Sequence, residues 1–268
     1  MDKVGLLAGI GALPVECAKS ARAQGYEVYV VALLPEADDR LRDYATDYQE
    51  ISVFKVGRIL SYLKKQQITQ VTMIGKVTKE LLYAHKAMPD FKTIQILAGL
   101  SNRKDDTIMQ ALVAAVESTG AKVVDQTTLI RPLLPPAGTL TKREPSAEEK
   151  KDMTFGFHMA KEIGRLDVGQ TVVVKQQAVM ALEAIEGTDA CIRRGGELAR
   201  GGAVVAKTAK PDQDLRFDVP AVGMKTMEIM VEVGASALVI EAGRTLLVEK
   251  DKVIALAEAH DITIVAMK

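Results

Sequence analysis

Lys3-Val-Gly-Leu-Leu-Ala8-Gly9-Ile-Gly11-Ala12-Leu-Pro14 is the stretch that decides the fold. Residues 3–8 form an apolar run of strand length, Gly9 to Pro14 a tight turn, and residues 14–24 a helical pattern closed by Gly25. A second apolar run, 27–34, follows at once, so the opening reads as a βαβ unit with its glycine turn at the carboxyl end of the first strand. The first two glycines match a dinucleotide fingerprint: a tight turn, with backbone amides offered to phosphate at a helix start. Pro14 stands where the third glycine would be, and Glu36 follows Pro35 beyond the strand. The turn therefore points to a nucleotide or sugar-phosphate contact, or to a plain strand-to-helix connection. A nicotinamide-dependent oxidoreductase is disfavoured.

Working outward, residues 55–67 have helical periodicity and 70–74 read as a strand ending in Gly75-Lys76, after which Thr78 is expected to cap a short helix. Asp105 or Asp106 is expected to cap a longer helix whose apolar positions lie on one face, before a strand at 122–124. The run Asn102 to Asp106 reads as a solvated helix start. Alternation of this kind implies a mostly parallel sheet covered by helices. Residues 131–150 combine proline, glycine and charge as a linker does, and Ser146 with Glu149 is a capping box for the helix beyond. This predicts two α/β domains: a Rossmann-like nucleotide- or sugar-phosphate-binding domain at 1–135, and a second domain at 136–268 carrying most of the catalytic motifs. The second half has strands at 171–175, 178–183, 203–207, 237–241 and 262–266, with helices near 188–199, 224–233 and 250–260. Its sheet should be mixed, because Lys175-Gln-Gln-Ala178 reads as a hairpin turn.

Lysine plus arginine number 35 and aspartate plus glutamate 35, which argues against a protein that holds nucleic acid through net charge. Aromatic residues make up 4% with no tryptophan, so stacking platforms for single strands are not expected either. The two cysteines, Cys17 and Cys191, have no metal spacing and suit a reducing cytoplasm. The first residues lack a signal-peptide pattern, and the longest apolar run, Val28 to Leu34, is far shorter than the ~20 residues that span a bilayer. A cytoplasmic protein is expected, at most peripheral at the inner face of the cytoplasmic membrane.

The chemistry concentrates between Glu183 and Gly223. Glu186-Gly-Thr188-Asp189 lies where a strand gives way to a helix: Thr188 is expected to cap it, leaving free amides for a phosphate, and Asp189 or Glu186 to bind magnesium or serve the helix start alone. Arg193 and Arg194 are read at the end of that helix, and Lys207 and Lys210 flank a strand end, as phosphate ligands or solvated surface charge. Asp218 stands between Phe217 and Val219-Pro220, a carboxylate in an apolar extended stretch that needs an ion partner or a desolvated role, unless it faces solvent. His85, His158 and His260 make no metal spacing. Met224, Met227 and Met230 share a helix face, for core packing or for a surface that accepts acyl chains.

Taken together, Gly9-Ile-Gly-Ala-Leu-Pro14, Ile163-Gly-Arg-Leu-Asp-Val-Gly-Gln170, Glu183-Ala-Ile-Glu-Gly-Thr-Asp189, Lys207-Thr-Ala-Lys-Pro211, Phe217-Asp-Val-Pro-Ala-Val-Gly223 and Glu241-Ala-Gly-Arg244 resemble the LpxI-type UDP-2,3-diacylglucosamine pyrophosphatases of lipid A biosynthesis. The resemblance runs through nearly the whole chain. It implies a cytoplasmic, magnesium-dependent hydrolase that splits UDP-2,3-diacylglucosamine into 2,3-diacylglucosamine 1-phosphate and UMP, by water attack on the uridine-side phosphorus. It also implies two α/β domains with the ligand between them, and a homodimer. Asp218 matches the catalytic aspartate of the Asp-Val-Pro motif. Gly9, Gly11, Ala12, Gln170, Thr188, Asp189, Lys207 and Lys210 carry over as substrate contacts, joined by Gly75, Lys76 and Arg193; Asp218, Asp189 and Glu186 are the candidate metal ligands. The competing readings are a non-catalytic sugar-nucleotide sensor and a Rossmann-type NAD-dependent oxidoreductase.

Overall fold

A computed structural model of the protein describes residues 2–77, 88–100, 102, 105–211 and 213–268, with Asp105 and Asp106 as backbone only. The expected cap at Thr78, the short helix after it and His85 lie outside the described residues, as do Arg103, Lys104 and the capping side chains of Asp105 and Asp106. The chain divides into two compact units, Met1–Ile130 with Leu215–Phe217, and Arg131–Asp214 with Asp218–Lys268.

Among the described residues the first unit holds five parallel strands, β1 (Lys3–Ala8), β2 (Glu27–Ala32), β3 (Asp47–Glu50), β4 (Gln70–Ile74) and β5 (Lys122–Val123), in the order β3-β2-β1-β4-β5. Helices α1 (Leu13–Ala23), α2 (Val56–Lys65), α3 (Phe91–Ala98) and α4 (Asp105–Glu117) connect them. The central strands are buried at nearly every position, which is why they read as continuous apolar runs and not as alternating ones. Helix α2 buries Val56, Ile59 and Leu63, three positions of one stripe. Strand β3, Asp-Tyr-Gln-Glu, carries no apolar alternation and was not expected; it sits at the sheet edge, where little needs burying.

The second unit holds a mixed sheet in the order β6-β13-β11-β9-β7-β8, built from β6 (Gly138–Thr139), β7 (Thr171–Lys175), β8 (Ala178–Leu182), β9 (Val204–Lys207), β11 (Ala237–Glu241) and β13 (Thr263–Met267). Strands β9, β11 and β13 are parallel, while β6 and β7 run against them. Two-residue strands β10 (Ala221–Val222) and β12 (Leu246–Leu247) pair separately. Strand β6 lies within the stretch expected to be linker, which thus contributes to the sheet.

Helix α5 (Ala147–Arg165) covers one face, packing Met153, Ala160 and Ile163 on Val172, Val174, Val204 and Val239. Its start has the expected capping box: the Glu149 amide donates to Ser146 Oγ at 3.1 Å, and the Ser146 amide to Glu149 Oε2 at 2.8 Å. Helices α6 (Thr188–Ala199), α7 (Met224–Glu232) and α8 (Lys250–Ala259) cover the other face. Met227 and Met230 are fully buried there, so the methionine face is core. Close approach of α6 requires Gly195 and Gly196, where an added Cβ would lie 2.5 Å from Val173 Cβ and 2.4 Å from Val233 Cβ. Cys17 and Cys191 are buried in α1 and α6, and burial pushes both thiols up to about 12.

The β7–β8 hairpin turns on Gln176 and Gln177, both at positive φ (52° and 56°) without a glycine. Asp152 of α5 holds the turn, its two carboxylate oxygens accepting the Gln176 amide at 2.8 Å and the Gln177 amide at 2.6 Å.

Candidate functional site

The antiparallel insertion of β7 positions the chemistry in the second unit. It sets Thr171, the first residue of β7, opposite Lys207, the last residue of β9. The chain leaving β8 then places Glu183 on the same edge, its amide donating to the Thr171 carbonyl at 2.9 Å. Helix α6 begins beside it. Its cap is Gly187, at φ 81° with no side-chain bond, and Thr188 is the first helical residue instead of the expected cap. The Thr188 hydroxyl is engaged elsewhere: it donates to Glu183 Oε1 at 2.9 Å and accepts from Lys207 Nζ at 3.0 Å.

A buried ammonium, a hydroxyl and a buried carboxylate thus form a chain at a helix N-terminus. Lys207 is only 6% exposed, which corrects the surface-charge reading of that residue. The Gln170 amide donates to Glu183 Oε2 at 3.3 Å, and its carbonyl accepts from the Thr208 amide at 3.1 Å. Gly169 is obligatory at this crossing, because a Cβ there would lie 2.1 Å from the Glu183 carbonyl oxygen. The first amides of α6, which have no partner within the helix, add positive potential to Lys207. The Lys207 and helix-start end of this chain suits a phosphate oxygen, while Glu183 offsets the ammonium at the other end.

A second ion pair, of a half-buried Lys161 and a buried Glu241, lies along the same strand ends. Glu241, last in β11, meets Lys161 Nζ at 2.5 Å, the Ala209 amide at 2.8 Å and Arg244 Nη1 at 3.7 Å. Buried side-chain atoms of Gln170 (Oε1), Thr208 (Oγ1), Gln213 (Nε2) and Thr245 (Oγ1) have no hydrogen-bond partner among the described residues. Buried polar atoms are normally satisfied, so a polar ligand or ordered water is their expected partner. Sequence reasoning missed Glu183, Lys161 and Glu241 as site residues. For Glu183 the signal was its place at a strand end within the quoted Glu183 to Asp189 run; Lys161 and Glu241 are 80 positions apart in sequence, and nothing local announces them.

Other expected residues lie elsewhere. Glu186 is exposed and binds Arg194 at 2.6 Å; its own backbone amide, then Arg194, hold its carboxyl below the usual range. Asp189 pairs with Lys225 at 3.0 Å, and Lys210 with Asp167 at 2.6 Å. Arg193 is exposed and binds Glu232 at 3.1 Å. Both arginines lie mid-helix in α6, not at its end, because Gly195 and Gly196 serve helix packing and do not stop it. Among the described residues no three histidine, cysteine, aspartate or glutamate side chains converge to hold a metal. Asp218 follows a turn closed by its amide on the Asp214 carbonyl at 2.9 Å and is exposed, so the desolvation suggested by its apolar neighbours does not arise.

In the first unit, Gly9 and Gly75 are fixed by packing. A Cβ on Gly9 would lie 2.6 Å from the Lys76 carbonyl oxygen, and one on Gly75, at φ 94°, 2.7 Å from Pro14 Cγ. The Gly9 amide donates to the Ile74 carbonyl, and Ile10 and Lys76 exchange backbone bonds at 3.0 Å. The amides offered at the start of α1 are therefore those of Gly11, Ala12 and Leu13, and not that of Gly9. Lys76 is exposed beside them.

Residues 3–133 match the model of the LpxI N-terminal domain and residues 136–265 that of the LpxI C-terminal domain. The chain belongs to the LpxI family. A relative from Caulobacter vibrioides, named UDP-2,3-diacylglucosamine pyrophosphatase LpxI, is 35% identical over 269 residues, 96% of this chain and 95% of its own. Two solved structures are similar at a distance. A UDP-glucose-4-epimerase from Stenotrophomonas maltophila is 16% identical over 45% of this chain and 35% of its own, with a TM-score of 0.31. A glycinamide-RNase-transformylase T from Mycobacterium tuberculosis is 14% identical over 52% of this chain and 38% of its own, with a TM-score of 0.28. The chain spans little more than a third of either, and likenesses of that size carry no argument. Within the LpxI frame, the glycine turn belongs to the N-terminal domain and the Lys207–Thr188–Glu183 chain to the C-terminal one. No helix among the described residues is long and apolar enough to cross a membrane.

Proposed function

We propose that this LpxI chain hydrolyses the diphosphate of UDP-2,3-diacylglucosamine, releasing UMP and 2,3-diacylglucosamine 1-phosphate on the route to lipid A. The observation that carries this reading is the end-to-end relationship, across both domains, to a pyrophosphatase of that name. The geometry supports it. A diphosphate needs its charge neutralised while water attacks in line, and Lys207 with the first amides of α6 offers fixed positive potential where no side chain need reorganise.

Residues 1–135 are read as the nucleotide or sugar-phosphate domain, through Gly11, Ala12, Gly75 and Lys76, and 136–268 as the part that carries the reaction. Water attacks the uridine-side phosphorus; the bond from that phosphorus to the bridging oxygen breaks, and the oxygen leaves with the sugar phosphate. Asp218 is the catalytic carboxylate. Magnesium takes one or two carboxylates together with phosphate oxygens. The exposed Asp218 fits that donor set, whereas Glu186 and Asp189 are each held by a cation, Arg194 and Lys225. Bound there, the ion would supply charge neutralisation of the diphosphate. Gln170 and Lys210 are read as contacts that orient the substrate. The chain is taken to act as a cytoplasmic homodimer.

In water enriched in oxygen-18, magnesium-stimulated turnover should place the label in UMP. Label in the sugar phosphate would overturn the place of attack, and absence of UMP release from the lipid substrate would overturn the activity.

A further inference from the structure

Helix α3 is built inside out. Its buried residue is Thr93, 6% exposed, whose hydroxyl accepts the Val56 amide at 3.1 Å and lies 2.9 Å from the Phe54 carbonyl oxygen. Its large apolar residues face solvent: Phe91 is 82% exposed, and Ile94, Leu97 and the preceding Met88 are exposed with it. Apolar side chains on a helix normally face the core, and contiguous exposed patches mark surfaces that meet something. Here the polar residue anchors the helix and the apolar ones are left outward.

The charge around this face is mostly positive, three cations against the one carboxylate of Asp90. Arg58, Lys65 and Lys92 line a surface hollow together with Phe91. Helix α3 carries no acidic residue, and Asp90 before it is consumed as the cap, accepting from the Thr93 amide at 2.9 Å. Two occupants suit an apolar face: a second copy of the chain, or a lipid surface. A symmetric contact between copies would set Arg58, Lys65 and Lys92 against their own images. An anionic bilayer surface satisfies both halves of the pattern, since phosphate headgroups meet the cations while aromatic and aliphatic side chains enter the acyl boundary.

We propose that α3, with Arg58 and Lys65 of α2, docks this protein on anionic phospholipid membranes, Phe91 and Ile94 entering the bilayer and Arg58, Lys65 and Lys92 meeting the headgroups. The use of this surface rests on the reading above, because a diacylated substrate resides in a membrane. The docking itself is measured without substrate. Failure to bind vesicles would leave the hydrolase reading standing, and a chain that binds vesicles but releases no UMP would leave the docking face standing.

The test is co-sedimentation of the full chain with vesicles of phosphatidylglycerol and phosphatidylcholine, against phosphatidylcholine alone. Binding should require the anionic lipid and weaken with salt. The double variant Phe91→Ser, Ile94→Ser should reduce binding at least about tenfold, and the double charge reversal Arg58→Glu, Lys92→Glu should remove the preference for anionic lipid. Because all four side chains are exposed, melting temperatures should hold. Wild-type chain that ignores anionic vesicles, or a serine variant that binds like wild type, would overturn the proposal. So would a serine variant whose mass by light scattering falls to that of a monomer from a wild-type dimer, which would make this face the contact between copies.

Discussion

Replacing Lys207 with methionine keeps the length of the side chain and removes its charge. The ammonium sits 3.0 Å from Thr188 Oγ1, at the end of β9 and beside the start of α6. If one phosphate charge of the substrate lies about 4 Å from that nitrogen, an effective dielectric of about 20 gives an attraction of roughly 4 kcal/mol. Losing it in the transition state corresponds to about 10³ in rate. Folding should suffer less, by about 1–3 kcal/mol, because Thr188 loses a charged donor while Glu183 stays buried with its bonds from Thr188 and the Gln170 amide. Steady-state release of UMP, with thermal melting in parallel, separates the two effects. A fall in kcat/KM carried by kcat marks an interaction made in the transition state, whereas a rise in KM alone marks uniform binding. Lys207→Met turning over within roughly threefold of wild type, in a protein that melts normally, would refute the assignment and make Lys207 a purely structural cation.

Three further outcomes are expected. Asp218→Asn should lower kcat by on the order of 10²–10⁴ while leaving the fold intact, since the residue is exposed; near-normal turnover would remove Asp218 from the mechanism. Burial pushes the Glu149 carboxyl up, but paired bonds from Arg143 at 2.9 Å and the Ser146 amide outweigh it and hold the group down to about 2. A depressed carboxylate contributes stability above its unfolded pKa of about 4.3 and loses it as pH falls toward 2, so Glu149→Gln should cost a few kcal/mol at neutral pH, with the gap closing in acid; a gap independent of pH in chemical denaturation would contradict this. Gly195→Ala should destabilise the fold by about 1–3 kcal/mol through overpacking against Val173 and so lower the melting temperature, and an unchanged melting curve would show that α6 shifts freely.

What the sequence made legible follows from how locally each feature is encoded. Strands covered on both faces read as apolar runs, the Ser146–Glu149 box announces α5, and Lys175 to Ala178 announces the hairpin, so the α/β alternation and the mixed second sheet could be read from the residues. Strand β3 is polar, β6, β10 and β12 are two residues long, and α3 inverts the usual pattern, so none had a periodic signal to read. At the site, the strand-end position of Lys207 was visible, but its burial depends on β7 running backwards beside β9. The Lys161–Glu241 pair joins a helix to a strand far along the chain and could come only from the fold. Gly9 looked like a phosphate glycine, whereas its missing side chain makes room for the carbonyl of Lys76.

The hairpin at Gln176-Gln177 stores its shape outside itself. Neither residue favours the left-handed conformation on its own, and the carboxylate that stabilises both amides belongs to a helix laid down more than 20 residues earlier. The edge strand β8 thus has its turn held from α5 as well as by its ladder with β7, which couples the seating of that helix to the alignment of Glu183. An Asn-Gly turn at the same two positions would move that instruction back into the loop. The site would then inherit its alignment from four consecutive residues, and the helix would be free to change.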